Sequence, residues 1–121
     1  MPKATANQGG RALRARIWVE AQGQLALTDA GVDLLEQIAV SGSLSEAARQ
    51  LRFSYRRAWL LLDSMNKRWP RPLVETAVGG TGGGGARVTE LGHQVLRTYR
   101  ELQLRVEHLL DMAGDPFKPF L

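Results

Sequence analysis

Seven cationic side chains fall between positions 49 and 71: Arg49, Arg52, Arg56, Arg57, Lys67, Arg68 and Arg71, with Asp63 the one acid inside the run. A guanidinium is a rigid fork of N–H donors. It matches phosphate oxygens and the O6/N7 edge of guanine. The acids gather elsewhere, at Asp29, Asp33 and Glu36 and at Glu101, Glu107, Asp111 and Asp115. Positive charge is therefore local, as a nucleic-acid-binding face requires. A solvated basic face is the alternative for the same residues.

A second cluster is the run VGGTGGGGARVT at 78–89, with six glycines in seven positions. Gly80 to Gly85 satisfy the letter of a dinucleotide-binding fingerprint. That motif needs a helix opening directly after it, inside a strand–helix–strand unit. Here Ala86-Arg87-Val88-Thr89 follows, which is strand-like, and the Gly-Lys-Ser/Thr of a phosphate-binding P-loop is absent. A tight tip between two strands fits better than a nucleotide loop or a domain linker. Arg87, just beyond it, is placed to meet a backbone phosphate or to stay a surface arginine.

Catalytic chemistry finds little support. His93 and His108 lack partners at metal-ligand spacing, Asp63 and Glu75 make no credible acid–base pair, and no nucleophile–histidine–acid set stands out. Asn66 reads as a polar contact or as a solvent-facing residue at a helix edge, with the second favoured. No cofactor is expected, and no enzyme. Cysteine is absent, which rules out disulfides and thiolate metal sites and suits a cytoplasmic protein. No apolar run approaches the roughly 20 residues that cross a bilayer, and the N-terminus has no signal-peptide core.

These residues need elements to hold them. With 121 residues and 44% hydrophobic side chains, one domain is the default. Residues 1–12 read as a disordered tail, 13–112 as the domain and 113–121 as a C-terminal tail. Arg16 to Leu27 alternate as a small hairpin, with Ile17 or Trp18 facing the helices. Thr28-Asp29 starts a helix that Gly42 ends. Ser43 with Glu46 forms a capping box for a short second helix. After a turn at Arg52-Phe53, Ser54 caps a third helix running to about 69, stopped by Pro70 and Pro72. Its apolar side is Ala58, Leu61, Leu62, Met65 and Trp69, and Arg56, Leu60, Asp63 and Lys67 lie opposite. Strands at 73–78 and 86–89 flank the glycines. Thr89 caps a last helix to about 112, with an apolar stripe of Leu91, Val95, Leu102, Val106 and Leu109.

The fold class expected is mainly α with small β: a winged helix-turn-helix with a short N-terminal hairpin and a long C-terminal helix. In such a fold the second helix of the pair enters the major groove. The expected DNA-facing set is Ser43, Ser45, Arg49, Ser54, Tyr55, Arg56, Arg57, Leu60, Lys67, Thr81, Gly82, Gly83, Gly84 and Arg87. Two other uses of the same fold stay open: a protein-interaction module working through the last helix, or a small-oxyanion binder using Arg56, Arg57 and the wing amides.

The segments IAVSGSLSEAARQLRFSYRRAWLLLDSMNKR and LVETAVGGTGGGGARVTELG closely resemble the amino-terminal DNA-binding domain of the ModE family of molybdate-responsive regulators. More distantly, the chain is similar to the LysR-type winged helix. The SGS-x-S-x-AA opening, the SY-x-x-AW helix and the VE-x-A-x-GG-x-GGGGA wing carry the resemblance, over about residues 28–105. It implies a homodimer on a palindromic operator in double-stranded DNA, often repressing molybdate-uptake genes. Dimer contacts are then expected in the amino-terminal segment and the long last helix. Full-length members also carry molybdate-binding domains. The sequence has no room for one after its last helix, so oxyanion sensing is not expected within it, and neither is a membrane partner.

Overall fold

Each of the four helices opens on a hydroxyl side chain that accepts a hydrogen bond from its own first turn. Thr28 accepts from Gly31 N, Ser43 from Glu46 N, Ser54 from Arg57 N and Thr89 from Gly92 N. An N-cap of this kind satisfies a donor that the helix leaves orphaned. The computed structural model describes residues 5–6, 11–77 and 85–120. Its elements in order are β1 (Thr5–Ala6), β2 (Ala12–Leu13), β3 (Val19–Ala21), β4 (Gln24–Leu27), α1 (Asp29–Ser41), α2 (Leu44–Leu51), α3 (Tyr55–Asn66), β5 (Val74–Thr76), β6 (Ala86–Val88) and α4 (Glu90–Ala113), then a 3-10 turn at Lys118–Phe120.

The strands form three separate antiparallel pairs, β1–β2, β3–β4 and β5–β6. Within the stretch expected as a tail, Thr5 pairs with Leu13 and Ala6 with Ala12. The alternation expected from Arg16 in fact begins at Arg11: Leu13, Ala15, Ile17 and Val19 turn inward while their neighbours face out. Ile17 packs against the core, and Trp18 is exposed. The β3–β4 turn is Gln22-Gly23, both at positive φ, the requirement of a two-residue type I′ hairpin. In β5–β6, Val74 opposes Val88, Glu75 opposes Arg87 and Thr76 opposes Ala86.

The core gathers under α1. Val32, Leu34, Leu35 and Ile38 are buried against Leu27, Leu44, Ala47, Ala58, Leu62, Met65, Leu73, Val74, Val88 and Tyr99. Small residues set the helix spacing: Ala47 and Ala48 of α2 and Ala58 of α3 are all buried. Gly42 in the left-handed region ends α1, and its carbonyl accepts from Ala86 N at 2.9 Å, tying the α1–α2 turn to β6. The expected stripe on α4 divides. Val95 and Tyr99 are buried, while Leu102, Leu104, Leu109 and Met112 are exposed.

Two expectations need correction. Helix α3 stops at Asn66 rather than near 69. Trp69 leaves the helix and donates its indole N–H to Ala26 O at 3.0 Å. The capping box is one-sided: Glu46 N bonds Ser43 Oγ, but Ser43 N donates to Ser41 Oγ and the Glu46 carboxylate turns to Arg49 and Gln50. Beyond α4, Asp115 forms an ion pair with Arg11, so the C-terminal stretch is tied back to the chain's start.

Helix α4 meets the β5–β6 pair at Gly92, where a β-carbon would lie 2.3 Å from Leu73 O and 2.7 Å from a Val88 methyl. Strand backbone cannot yield cheaply. Gly92→Ala is expected to destabilise by about 1–3 kcal/mol through overpacking. Gly31→Ala puts its methyl 2.7 Å from the Met65 sulfur, a flexible thioether, and costs less. Urea denaturation of the two variants gives the order, and a Gly92→Ala chain as stable as Gly31→Ala contradicts this packing.

Candidate nucleic-acid interface

The turn between α2 and α3 sets the site. Arg52 adopts a left-handed conformation at φ 58°. Phe53 N then bonds back to Ala48 O at 2.9 Å, and Ser54 caps α3. The chain thus reverses in a few residues and presents the first turn of α3 outward. Tyr55, Arg56 and Arg57 are exposed there, followed by Trp59 and Leu60. A cleft of about 590 Å³ runs beside them, lined by Thr28, Ala30, Ser54, Arg56, Arg57, Leu60 and Leu61.

Charge pairing divides the cations. Arg49 pairs with Glu46, Lys67 with Asp63 at 2.8 Å, and Arg87 with Glu75 at 2.6 Å across the β5–β6 ladder. Among the described residues, Arg56 and Arg57 make no ion pair. The Arg57 guanidinium lies 3.9 Å from the centre of the Phe53 ring, a cation–π contact that steadies it without neutralising it. The positive potential of α3 therefore concentrates at its N-terminal turn, where the helix dipole is also positive. Ion pairs between solvent-exposed groups contribute little to stability. Arg49, Lys67 and Arg87 can thus exchange a carboxylate for a phosphate at small cost.

The predicted residues fall into groups. Ser54, Tyr55, Arg56, Arg57 and Leu60 share one exposed surface at the start of α3. Ser43 and Ser54 have their Oγ atoms committed as caps, which leaves each an O–H to donate. Ser45 and Arg49 are exposed on α2. Lys67 lies one helix length further along, at the α3 C-cap. Thr81, Gly82, Gly83 and Gly84 lie outside the described residues. Glycine Gly85 is exposed, and its carbonyl accepts from Ala77 N at 2.8 Å, holding the strands together at the base of the tip.

Two residues escaped the sequence reading. Trp59, 48% exposed, lies one turn from Tyr55 and widens the aromatic surface of α3. Its i, i+4 spacing from Tyr55 was the available signal. Asn66 is no solvent residue. Its side chain bonds the backbone of Leu73 and Val74, a contact invisible without the tertiary fold.

A capped helix pair with an exposed basic second helix, followed by a two-stranded ribbon packed on a long helix, defines a winged helix-turn-helix protein. No protein-family model matches the chain. Curated relatives do. The molybdenum transport protein ModE of Azotobacter vinelandii is 37% identical over 101 residues, 84% of this chain and 37% of that protein. The transcriptional regulator ModE of Haemophilus influenzae is 39% identical over 88 residues, 73% of this chain and 34% of that protein. The DNA-binding transcriptional dual regulator ModE of Escherichia coli K12 is 38% identical over 84 residues, 69% of this chain and 32% of that protein. The chain spans about a third of the length of these relatives. Matches of this kind, at 36–44% identity over 60–84% of the chain, support a ModE-family amino-terminal domain. Among the described residues no helix is long and apolar enough to cross a membrane.

Hydrogen bonds from Arg49 and Gln50 hold the Glu46 carboxyl down at about 2. A depressed carboxylate contributes stability that is present above its unfolded pKa and lost as pH falls through the folded value. The α2 pairing is therefore expected to be intact above the ordinary value of 4.5 and to fade between there and about 2. Carbon-detected NMR titration of Glu46 checks this. Arg49→Ala should move its midpoint up toward the ordinary value, and an unchanged midpoint would refute the pairing.

Proposed function

We propose that the chain is a sequence-specific DNA-binding transcription regulator of ModE type that works as a homodimer on a palindromic operator. One observation carries this: among the described residues Arg56 and Arg57 make no ion pair, and they stand on the exposed first turn of a capped helix presented outward by the α2–α3 turn. Helix α3 enters the major groove, with Arg56 and Arg57 reaching base edges and Tyr55 and the Ser54 hydroxyl on phosphate. The wing of β5–β6, with Thr81 to Gly84 at its tip and Arg87 at its base, rests on the sugar–phosphate backbone. Its glycines give register and affinity rather than sequence choice. Ser43, Ser45, Arg49 and Lys67 add phosphate contacts from the flanks, and Leu60 offers an apolar contact to bases. The role is binding rather than catalysis, in the cytoplasm, with no cofactor. The paired basic groups suit a polyanion better than a small oxyanion.

Selection from a random DNA library gives the operator and the test. Log affinity should fall linearly with log salt, one increment per phosphate neutralised. Arg56→Ala or Arg57→Ala should weaken the selected site by about 1–3 kcal/mol and relax preference at one position if the arginine reads a base. Salt-independent binding, or none across a genomic fragment library, would sink the proposal.

The homodimer rests on the outer half of α4. Leu104, Leu109 and Met112 are 65%, 66% and 74% exposed in a single chain. Leu109 and Met112 are neighbours at i, i+3 on the helix surface, and large apolar side chains left exposed together mark an interaction surface. Sedimentation of Leu104→Glu with Leu109→Glu should give a monomer where the unaltered chain gives a dimer. Loss of partner protein capture by these variants, with DNA binding untouched, would instead favour an interaction module.

A further inference from the structure

One side chain of α3 hydrogen-bonds the start of the wing. Asn66 is the last residue of α3, and its carboxamide makes three hydrogen bonds. Asn66 Oδ1 accepts from Leu73 N at 2.9 Å and from Val74 N at 3.2 Å, while Nδ2 donates to Val74 O at 3.0 Å. Both carboxamide heavy atoms are thus engaged by the opening of β5. Within the connecting loop, Pro70 and Pro72 have no N–H to offer the Val74 carbonyl. On the far side of the same peptide, Leu73 O accepts from Thr89 N at 2.9 Å, and Thr89 Oγ1 donates to Pro72 O at 2.8 Å. The first residues of the wing are therefore gripped from α3 by Asn66 and from the start of α4 by Thr89.

Leu73 and Val74 are buried, so their amides have no water to fall back on. Without the Asn66 oxygen, both donors are stranded, and the segment must shift outward to find solvent. Such a shift moves the strand that begins the wing while leaving the N-terminal turn of α3 in place.

From this the geometry points to Asn66 as a positioning residue that fixes the wing relative to the recognition helix, so that both meet one DNA surface without Asn66 touching DNA. The role in binding rests on the function proposed above; the clasp itself does not. Hydrogen exchange tests the clasp without DNA. In Asn66→Ala the amides of Leu73 and Val74 should exchange about tenfold faster, while Leu34 and Leu35 of α1 stay protected. Asn66→Asp keeps the acceptor and loses the donor, and should exchange between the two. It also supplies the comparison if the alanine variant fails to fold. Unchanged exchange at Leu73 and Val74 in a folded variant, or acceleration shared equally with α1, overturns the clasp.

Affinity for the selected operator supplies the second arm. Asn66→Ala should bind about tenfold more weakly with a shallower salt dependence, because wing phosphate contacts are lost, and with base preference intact. Binding within twofold of the unaltered chain, despite faster exchange at Leu73 and Val74, overturns the positioning role. Failure of the unaltered chain to bind any DNA overturns the functional proposal, and with it the DNA role, while exchange still decides the clasp.

Discussion

Burial of Leu73 and Val74 is the constraint around which the rest of the domain is arranged. These two residues pass between the end of α3 and the start of α4, where both are removed from water. A buried amide or carbonyl left unpaired costs about 1–3 kcal/mol. Every polar group of that stretch must therefore be met by the protein, and the neighbours comply: Asn66 from one side and Thr89 from the other. Space is as tight as bonding. Gly92 has no side chain because the Leu73 carbonyl occupies the position a β-carbon would take. Helix length, cap identity and the glycine in α4 thus answer to one short segment. The α1–α2 turn joins the same assembly through Gly42 and Ala86.

Electrostatics adds a second layer. A basic excess in the composition says little about where charge is available. Once folded, Glu46, Asp63 and Glu75 each take one of the cations of the prospective binding surface. Within α3 what remains unneutralised is Arg56 and Arg57 at its first turn, where helix dipole and guanidinium charge reinforce each other. The carboxylate-bound cations are not lost to binding, since exposed pairs are weakly held and phosphate offers the same geometry. Away from that surface, Arg100 engages both Asp33 and Glu36 and so links α4 to α1. The acids of α1 are thereby occupied by the scaffold and stand clear of the cationic face.

Local signals were legible in the sequence, and long-range ones were not. Thr28, Ser43, Ser54 and Thr89 were readable as caps because each acts on an amide three residues away, within its own turn. The hairpin and the strands flanking the glycines followed from alternation. The end of α3 did not, because it depends on a contact with residues seven and eight positions on, past two prolines. Glu46 illustrates the same limit at shorter range. Its spacing from Ser43 is that of a reciprocal cap, yet Ser41 already supplies the bond to Ser43 N, which frees the carboxylate for Arg49. Arg87 could be read as a cation near a tip; its partner Glu75 emerges only when the register of β5 and β6 is known.

Helix α4 shows why periodicity alone misjudges a surface. Its apolar stripe runs from Leu91 to Leu109 with unbroken helical spacing. The domain's own core uses only the first half, ending at Tyr99, whose hydroxyl donates to Ile17 O at 2.9 Å. Beyond that point the stripe continues through Leu102 and Leu109, with Leu104 and Met112 adding exposed apolar surface nearby. A solvent-facing helix of 24 residues with no further role would carry polar residues there. The same helix that braces the wing at Gly92 extends to the exposed end on which the proposed two-fold contact rests, so a rigid α4 would fix the distance between that contact and the recognition surface. In a two-fold assembly that distance sets the spacing of the two recognition helices, and through it the spacing of half-sites on DNA.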